Sequence, residues 1–69
     1  MDYQRLVKEL RVKLILSQQE LADLLNVSFA SINRWETGKH EPTIKVKRKL
    51  NELFIKNNIK GDDESNGKK

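Results

Sequence analysis

The chain has 69 residues, enough for one domain, and carries a formal net charge of +4. It contains no cysteine and a single histidine, His40, which excludes disulfides, thiol catalysis and a metal site built from those ligands. No apolar run approaches the roughly 18 residues of a membrane span, and the N-terminus lacks the apolar core of a secretory signal. We therefore expect a small cytoplasmic binding module that is not an enzyme and holds no metal or cofactor.

Helical spacing of apolar residues predicts two helices in the first part of the chain. The first is expected over residues 2–14, with Asp2 at its N-terminus and an apolar stripe of Leu6, Val7, Leu10 and Leu14. The segment Ser17-Gln-Gln-Glu20 is a capping-box pattern, in which both side chains bond free N–H groups at a helix start. A second helix is expected over 18–25, ended by Asn26, with Leu21, Leu24 and Leu25 on its apolar side.

A third helix is predicted after the turn Asn26-Val27-Ser28. Ser28 can cap it, and Gly38 is a good terminator, which gives a helix over residues 29–37. Ile32 and Trp35 lie three residues apart and are expected to face the core.

The last predicted helix covers residues 44–57, with Thr43 as its cap. Its buried face would hold Leu50, Leu53, Phe54 and either Val46 or Ile44. From residue 58 the composition is that of a disordered tail. The predicted fold is thus a small all-α bundle of four helices, or five if the C-terminal end adds one. The predicted domain occupies residues 1–57 and the disordered polar tail residues 58–69.

Helices two and three, with three residues between them, have the length and turn chemistry of a helix-turn-helix. Such a unit presents its second helix to the major groove of B-DNA. With Ile32 and Trp35 inside, Arg34 and Asn33 lie on the opposite face, where they can bond guanine and adenine in bidentate fashion. Ala30 and Phe29 can meet thymine methyl groups there, although Phe29 could instead fold back onto the protein.

A longer motif surrounds this unit. It reads Ser-Gln-x-Glu-Leu-Ala at 17–22, Val-Ser at 27–28, Ile-x-x-Trp-Glu-x-Gly-Lys at 32–39, and Pro42. In these residues the chain resembles the phage Cro/repressor family of helix-turn-helix domains, also called the XRE family. The resemblance implies a lambda-repressor-like fold that binds double-stranded DNA with its third helix in the major groove. It further implies transcriptional regulation, by repression, at a palindromic operator.

The resemblance also implies roles for individual residues. The residues implied to contact bases are Phe29, Ala30, Asn33 and Arg34. Those implied to contact phosphates, or to sit at the backbone edge, are Gln18, Ser28, Thr37 and Lys39. Lys45 joins the phosphate set because it lies near the start of the fourth helix, whereas its neighbours Lys47, Arg48 and Lys49 are expected to be mainly solvated. Arg11 and Glu36 are implied to form a structural ion pair.

One residue departs from the family pattern at the corner before the second helix. Ile15 stands where a glycine is common. A β-branched residue at positive φ costs on the order of 1–2 kcal/mol, so we expect this corner to be built differently.

Two questions about partners stay open at this level. A single module of this size buries only about 600–1,000 Å² of its surface on DNA, which favours a weak homodimer, or dimerisation on DNA, through the fourth helix. The alternative function is a protein-interaction module on the same fold, either an antitoxin-like partner or a recruiting domain of a larger complex. Arg34, Lys39 and Lys45 beside the third helix, with no acid on its outer face, favour DNA.

Overall fold

The computed structural model describes residues 2–60, which form four α-helices and no strand. Helix α1 spans Tyr3–Lys13, α2 Gln18–Leu25, α3 Phe29–Glu36 and α4 Ile44–Lys56. The all-α prediction is confirmed, and each helix boundary falls within one residue of the expected position. No fifth helix occurs within the described range.

The core lies where α1 meets α3 and α4 and where α2 meets α3. All four helices contribute buried side chains, with Leu6, Leu10, Leu21, Ile32 and Leu50 fully enclosed. Tyr3 of α1 is also buried and packs against Phe54, with the two rings tilted by 35° and their centroids 6.4 Å apart. The sequence pattern did not indicate Tyr3, because it precedes the regular apolar stripe of α1.

Two apolar residues lie outside the core that the periodicity predicted. Leu24 is 52% exposed, because Leu21, Ala22 and Leu25 occupy the inner arc of α2 and place Leu24 on its flank. Of the two alternatives for α4, Ile44 is 70% exposed and Val46 packs against the core.

Side-chain caps begin three of the four helices. Asp2 Oδ1 accepts from the Arg5 N–H at 3.2 Å, and Ser28 Oγ accepts from the Ser31 N–H at 3.1 Å. The predicted capping box of α2 is complete, with Glu20 N–H to Ser17 Oγ at 3.0 Å and Ser17 N–H to Glu20 Oε1 at 2.8 Å. Thr43 occupies the N-cap position of α4 but makes no side-chain capping bond, so that expectation is wrong.

All four helices end in the same backbone motif. The residue that closes each helix has positive φ, and the next N–H bonds back to a carbonyl of the last turn, which is the Schellman geometry. The four positive-φ residues are Ile15, Asn26, Gly38 and Asn58, with φ of 57°, 58°, 80° and 58°. The matching bonds are Leu16 to Arg11 at 2.9 Å, Val27 to Ala22 at 2.9 Å, Lys39 to Arg34 at 2.9 Å and Ile59 to Phe54 at 2.8 Å.

This motif corrects two expectations. The corner at Ile15 is built as a left-handed turn despite the β-branched side chain, and the side chain itself is 88% exposed. At the other end of the domain, the turn at Asn58 returns Ile59 to the core, where it is 3% exposed. The structure therefore differs from the boundary predicted at residue 57, and residues 61–69 of the predicted tail lie outside the described residues.

We predict that Ile15→Gly stabilises the domain. Relief of the left-handed strain gains about 1–2 kcal/mol, whereas glycine adds unfolded-state entropy worth about 0.4–1 kcal/mol. The side chain is 88% exposed, so little packing is lost, and the net gain is about 1 kcal/mol. Thermal unfolding should show a rise of about 4–8 °C for a domain of this size.

The control for this prediction is Ile15→Ala, which removes the branch but keeps a Cβ at positive φ. Ile15→Ala should raise the melting temperature by less than Ile15→Gly does. A glycine variant that melts below the wild type would show that Ile15 carries a stabilising contact.

Candidate nucleic-acid interface

The outer face of α3 is open to solvent. Ile32 and Trp35 point inward and are 0% and 5% exposed. The exposed residues of the helix and its C-cap are those that the sequence assigned to DNA: Phe29, Ala30, Asn33, Arg34 and Thr37. Phe29 is 48% exposed, which leaves half of its ring surface free for contact.

Close packing with α2 holds α3 in this position. Ala22 is fully buried, and its small side chain lets the two helices approach. The turn between them is fixed by the bond from the Val27 N–H to the Ala22 carbonyl at 2.9 Å and by the Ser28 cap. The outer face of α3 is therefore presented by a rigid corner.

An ion pair ties the end of α3 to α1. Arg11 donates from Nε to Glu36 Oε2 at 2.7 Å and from Nη2 to Glu36 Oε1 at 3.0 Å, a bidentate arrangement. A third bond runs from Arg11 Nη1 to the Leu16 carbonyl at 3.2 Å. The two side chains are only 19% and 6% exposed. One guanidinium thus fixes α1, the corner before α2 and the end of α3 together.

The charge of Glu36 is maintained by its neighbours. Burial alone would raise the pKa of this carboxyl, but the hydrogen bonds from Arg11 and Gln18 and the charges of Arg11 and Lys8 outweigh burial, so the pKa is lowered. The hydrogen bond to Glu36 in turn raises the pKa of Arg11. Glu36 is therefore ionised and neutralised within the protein, and it adds no free negative charge beside α3.

Gln18 belongs to the same network. Its Nε2 donates to Glu36 Oε1 at 3.2 Å, and the amide carries a second N–H that remains available. Within residues 2–60, the backbone N–H groups of Gln18 and Gln19 also have no partner, because the first turn of a helix leaves them unpaired. The start of α2 therefore offers three donors: one N–H of the Gln18 side chain, which Glu36 holds in place, and the backbone N–H groups of Gln18 and Gln19.

The hydroxyl groups near α3 differ in what they can donate. Thr37 Oγ1 donates to the Asn33 carbonyl at 2.9 Å, so its proton is already used. Ser28 Oγ and Ser31 Oγ lie 3.0 Å apart, and one of these two hydroxyls keeps a free proton. A phosphate diester only accepts hydrogen bonds, so the Ser28–Ser31 pair has a proton available for such a contact, whereas Thr37 does not in this arrangement.

The basic residues divide into free and engaged groups. Arg34, Lys39 and Lys45 are exposed and form no ion pair within the described residues. Lys47 is engaged, since its Nζ lies 3.0 Å from Glu41 Oε1 and 5.1 Å from the Tyr3 ring centroid. Positive charge therefore remains free at α3, at the loop after it and at the start of α4.

Comparison with known families agrees with this geometry. The Helix-turn-helix family model matches residues 7–55, a span that includes α2, α3 and most of α1 and α4. The chain belongs to the Cro/repressor-type (XRE) helix-turn-helix family. No curated protein and no solved structure gives a match.

Membership establishes the general class of the domain. The family binds DNA and is not a family of enzymes. Among the described residues, no helix has both the length and the apolar character to cross a membrane. Over the same range, no cluster of His, Cys, Asp and Glu side chains could hold a metal ion.

We predict that Glu36→Gln destabilises the domain at neutral pH. The change removes a charge from a bidentate pair that is 19% and 6% exposed, and hydrogen bonds to charged groups contribute about 1.5–3 kcal/mol. Because the pKa of Glu36 is lowered in the folded state, its stabilisation is full above the ordinary pKa of about 4.3. It is lost as the pH falls through the lowered value. Urea unfolding should thus show that the free energies of unfolding of the wild type and of Glu36→Gln become equal in acid.

Glu9→Gln is the matched control. Glu9 pairs with Arg5 at 3.0 Å, but both side chains are nearly half exposed. Glu9→Gln should therefore lower the free energy of unfolding by about 0.5 kcal/mol or less. Equal losses for the two variants, or a Glu36→Gln deficit that persists unchanged in acid, would contradict the role given to the Arg11–Glu36 pair.

Proposed function

We propose that this domain binds double-stranded DNA in a sequence-specific manner and regulates transcription, acting as a repressor by covering a promoter. The observation that carries the proposal is the outer face of α3, which is exposed, rigidly held and free of acidic side chains. Narrow helices of this kind fit the major groove.

In this proposal, α3 lies in the major groove and four of its residues meet the bases. Arg34 bonds O6 and N7 of a guanine, and Asn33 bonds N6 and N7 of an adenine. Ala30 and Phe29 contact thymine methyl groups. The exposed positions of these side chains support the assignment, as does the lack of an ion pair at Arg34 among residues 2–60.

In this proposal, residues on both sides of α3 contact the DNA phosphates. At the start of α2, the free amide proton of Gln18 and the unpaired backbone N–H groups suit an anion. Ser28 supplies a hydroxyl at the turn, and Lys39 and Lys45 supply charge beyond α3. Thr37 joins this set only if its hydroxyl turns away from the Asn33 carbonyl.

A pair of copies on a palindromic operator completes the proposal. One module covers about 600–1,000 Å², which is modest for a specific complex. Two-fold repressors read half-sites about 34–36 Å apart. Two weakly associated copies would place two α3 helices on such a site.

The proposal is tested first by selecting binding sites from a random duplex library. An enriched motif with two-fold symmetry is the expected result. Binding without any enrichment would contradict sequence-specific reading. A protein partner that displaces DNA by holding Arg34 would instead favour the interaction-module function.

We predict that Arg34→Ala and Lys39→Ala have different effects on DNA binding. Arg34→Ala should cost about 1–3 kcal/mol on the selected site and relax one base position in each half-site. Lys39→Ala should weaken binding to all sequences alike and lower the slope of log K against log salt by about 1. Fluorescence anisotropy titrations over a range of salt concentrations measure both effects.

Lys56→Ala is the matched control for charge, since Lys56 lies in the last turn of α4. It should leave both specificity and salt slope close to those of the wild type. If Arg34→Ala binds the selected site as tightly as the wild type, the assignment of α3 as the recognition helix is wrong.

A further inference from the structure

A cleft lies between α3 and the start of α4. It encloses about 240 Å³, which is less than the roughly 300–1,000 Å³ of sites for drug-sized ligands and suits a molecule built on a single ring. Both helices and the turn before α3 contribute to its walls. We define the α3–α4 cleft by six of its lining residues: Val27, Ser31, Arg34, Trp35, Thr43 and Val46.

The floor of the α3–α4 cleft is apolar. Trp35 is 5% exposed, and the partly buried Val27 and Val46 pack against the core beside it. Ser31 and Trp35 are four residues apart on α3 and therefore lie on the same face of the helix. The cleft thus offers contact area to an apolar body such as a ring or a branched carbon chain, as small-molecule sites commonly do.

The free charge at the rim of the cleft is positive. Arg34 is exposed and forms no ion pair among residues 2–60. Glu41 also lines the cleft, but its carboxylate lies 3.0 Å from Lys47 Nζ, so its charge is compensated. An anion at the rim therefore meets an unpaired guanidinium, and the planar fork of that group matches a carboxylate in bidentate fashion.

The other polar groups of the rim are mainly donors. Thr43 Oγ1 makes no capping bond to α4, which leaves its proton available. Ser31 Oγ lies 3.0 Å from Ser28 Oγ, and one proton of that pair is also free. His40 lines the same rim and carries a ring N–H in either protonation state. Such a set of donors suits a ligand group that only accepts hydrogen bonds.

We infer that the α3–α4 cleft binds a small organic carboxylate with an apolar body. The carboxylate pairs with Arg34 and accepts a hydrogen bond from Thr43, while the apolar body covers the floor beside Trp35. Because Arg34 is also the residue proposed to bond a guanine, such a ligand competes with DNA. The competition, unlike the binding itself, rests on the proposed function.

NMR titration of the full chain tests the binding. Trp35 is the only tryptophan, so its indole N–H gives a single signal that reports on the cleft. The three probes are benzoate, benzamide as its uncharged counterpart, and inorganic phosphate as an anion without an apolar body. Benzoate should shift the Trp35 signal with a dissociation constant on the order of 1 mM. Benzamide and phosphate should each bind at least about tenfold more weakly.

Three results of this titration overturn the inference. Benzamide binding as tight as that of benzoate would show that the guanidinium contributes nothing. Phosphate binding as tight as that of benzoate would show an anion site that does not recognise an apolar body. A Trp35 shift that does not saturate with benzoate would show that the cleft is not a binding site.

Substitutions at the rim assign the contacts. Arg34→Ala should raise the dissociation constant of benzoate by about tenfold or more, and Thr43→Val should raise it roughly threefold by removing one hydroxyl. Lys39→Ala is the matched control, because Lys39 is an exposed cation near Arg34 that does not line the cleft, and its affinity should stay near that of the wild type. Equal losses for Arg34→Ala and Lys39→Ala would show attraction by overall charge and would overturn the assignment. The same spectra check that each variant folds.

The competition is measured on a duplex with a single selected half-site. Potassium benzoate should release the duplex in step with its occupation of the cleft, and more than potassium chloride does at equal ionic strength. Thr43→Val should reduce this release while its DNA binding stays unchanged. Independent binding of benzoate and duplex would overturn the competition. A wild type that binds benzoate as expected but binds no half-site would count against the proposed function alone.

Discussion

The bidentate pair of Arg11 and Glu36 is the interaction on which the arrangement of this domain depends. The two residues are 25 positions apart, and their contact joins α1 to the last turn of α3. Through the Leu16 carbonyl and the Gln18 amide, the same pair also holds the start of α2. The pair thus connects α3, the helix proposed to contact the bases, to the donors proposed for the phosphate. Removing two charges from water is costly, and the arrangement offsets that cost by satisfying the carboxylate from Arg11 and Gln18 together.

The second constraint is the way the short helices end. Two of the four helices have only eight residues, too few to be stable alone. Each helix closes with a left-handed residue, and the returning N–H satisfies a carbonyl of the last turn. Only one of the four left-handed positions is a glycine. At Ile15 the corner is left-handed despite the β-branched side chain, and the Leu16 N–H still bonds to the Arg11 carbonyl at 2.9 Å.

Much of this architecture could be predicted from the sequence because its signals are local. The capping box at Ser17 and Glu20, the cap at Ser28 and the apolar spacing of Leu6, Leu10 and Leu21 each depend on a few neighbouring residues. The exposed face of α3 follows from the inward direction of Ile32 and Trp35. The Arg11–Glu36 pair came from the family resemblance, since no local pattern links residues so far apart.

The sequence was less informative where tertiary contacts decide the outcome. Leu24 looks buried by spacing, but Ala22 takes the inner position of α2. Ile59 looks like part of a polar tail, but the turn at Asn58 returns it to the core. The hydrogen bonds that occupy Thr37 and Gln18 depend on partners that only the fold brings near.

We propose that the outer face of α3 and the start of α2 form the DNA-binding surface. The most direct test is to follow backbone amide signals by NMR while titrating a duplex with a single selected half-site. We expect the largest shifts at Gln18 and Gln19 and along Phe29–Arg34, with little change at Ile55. Shifts concentrated on α4, with α3 unperturbed, would contradict it.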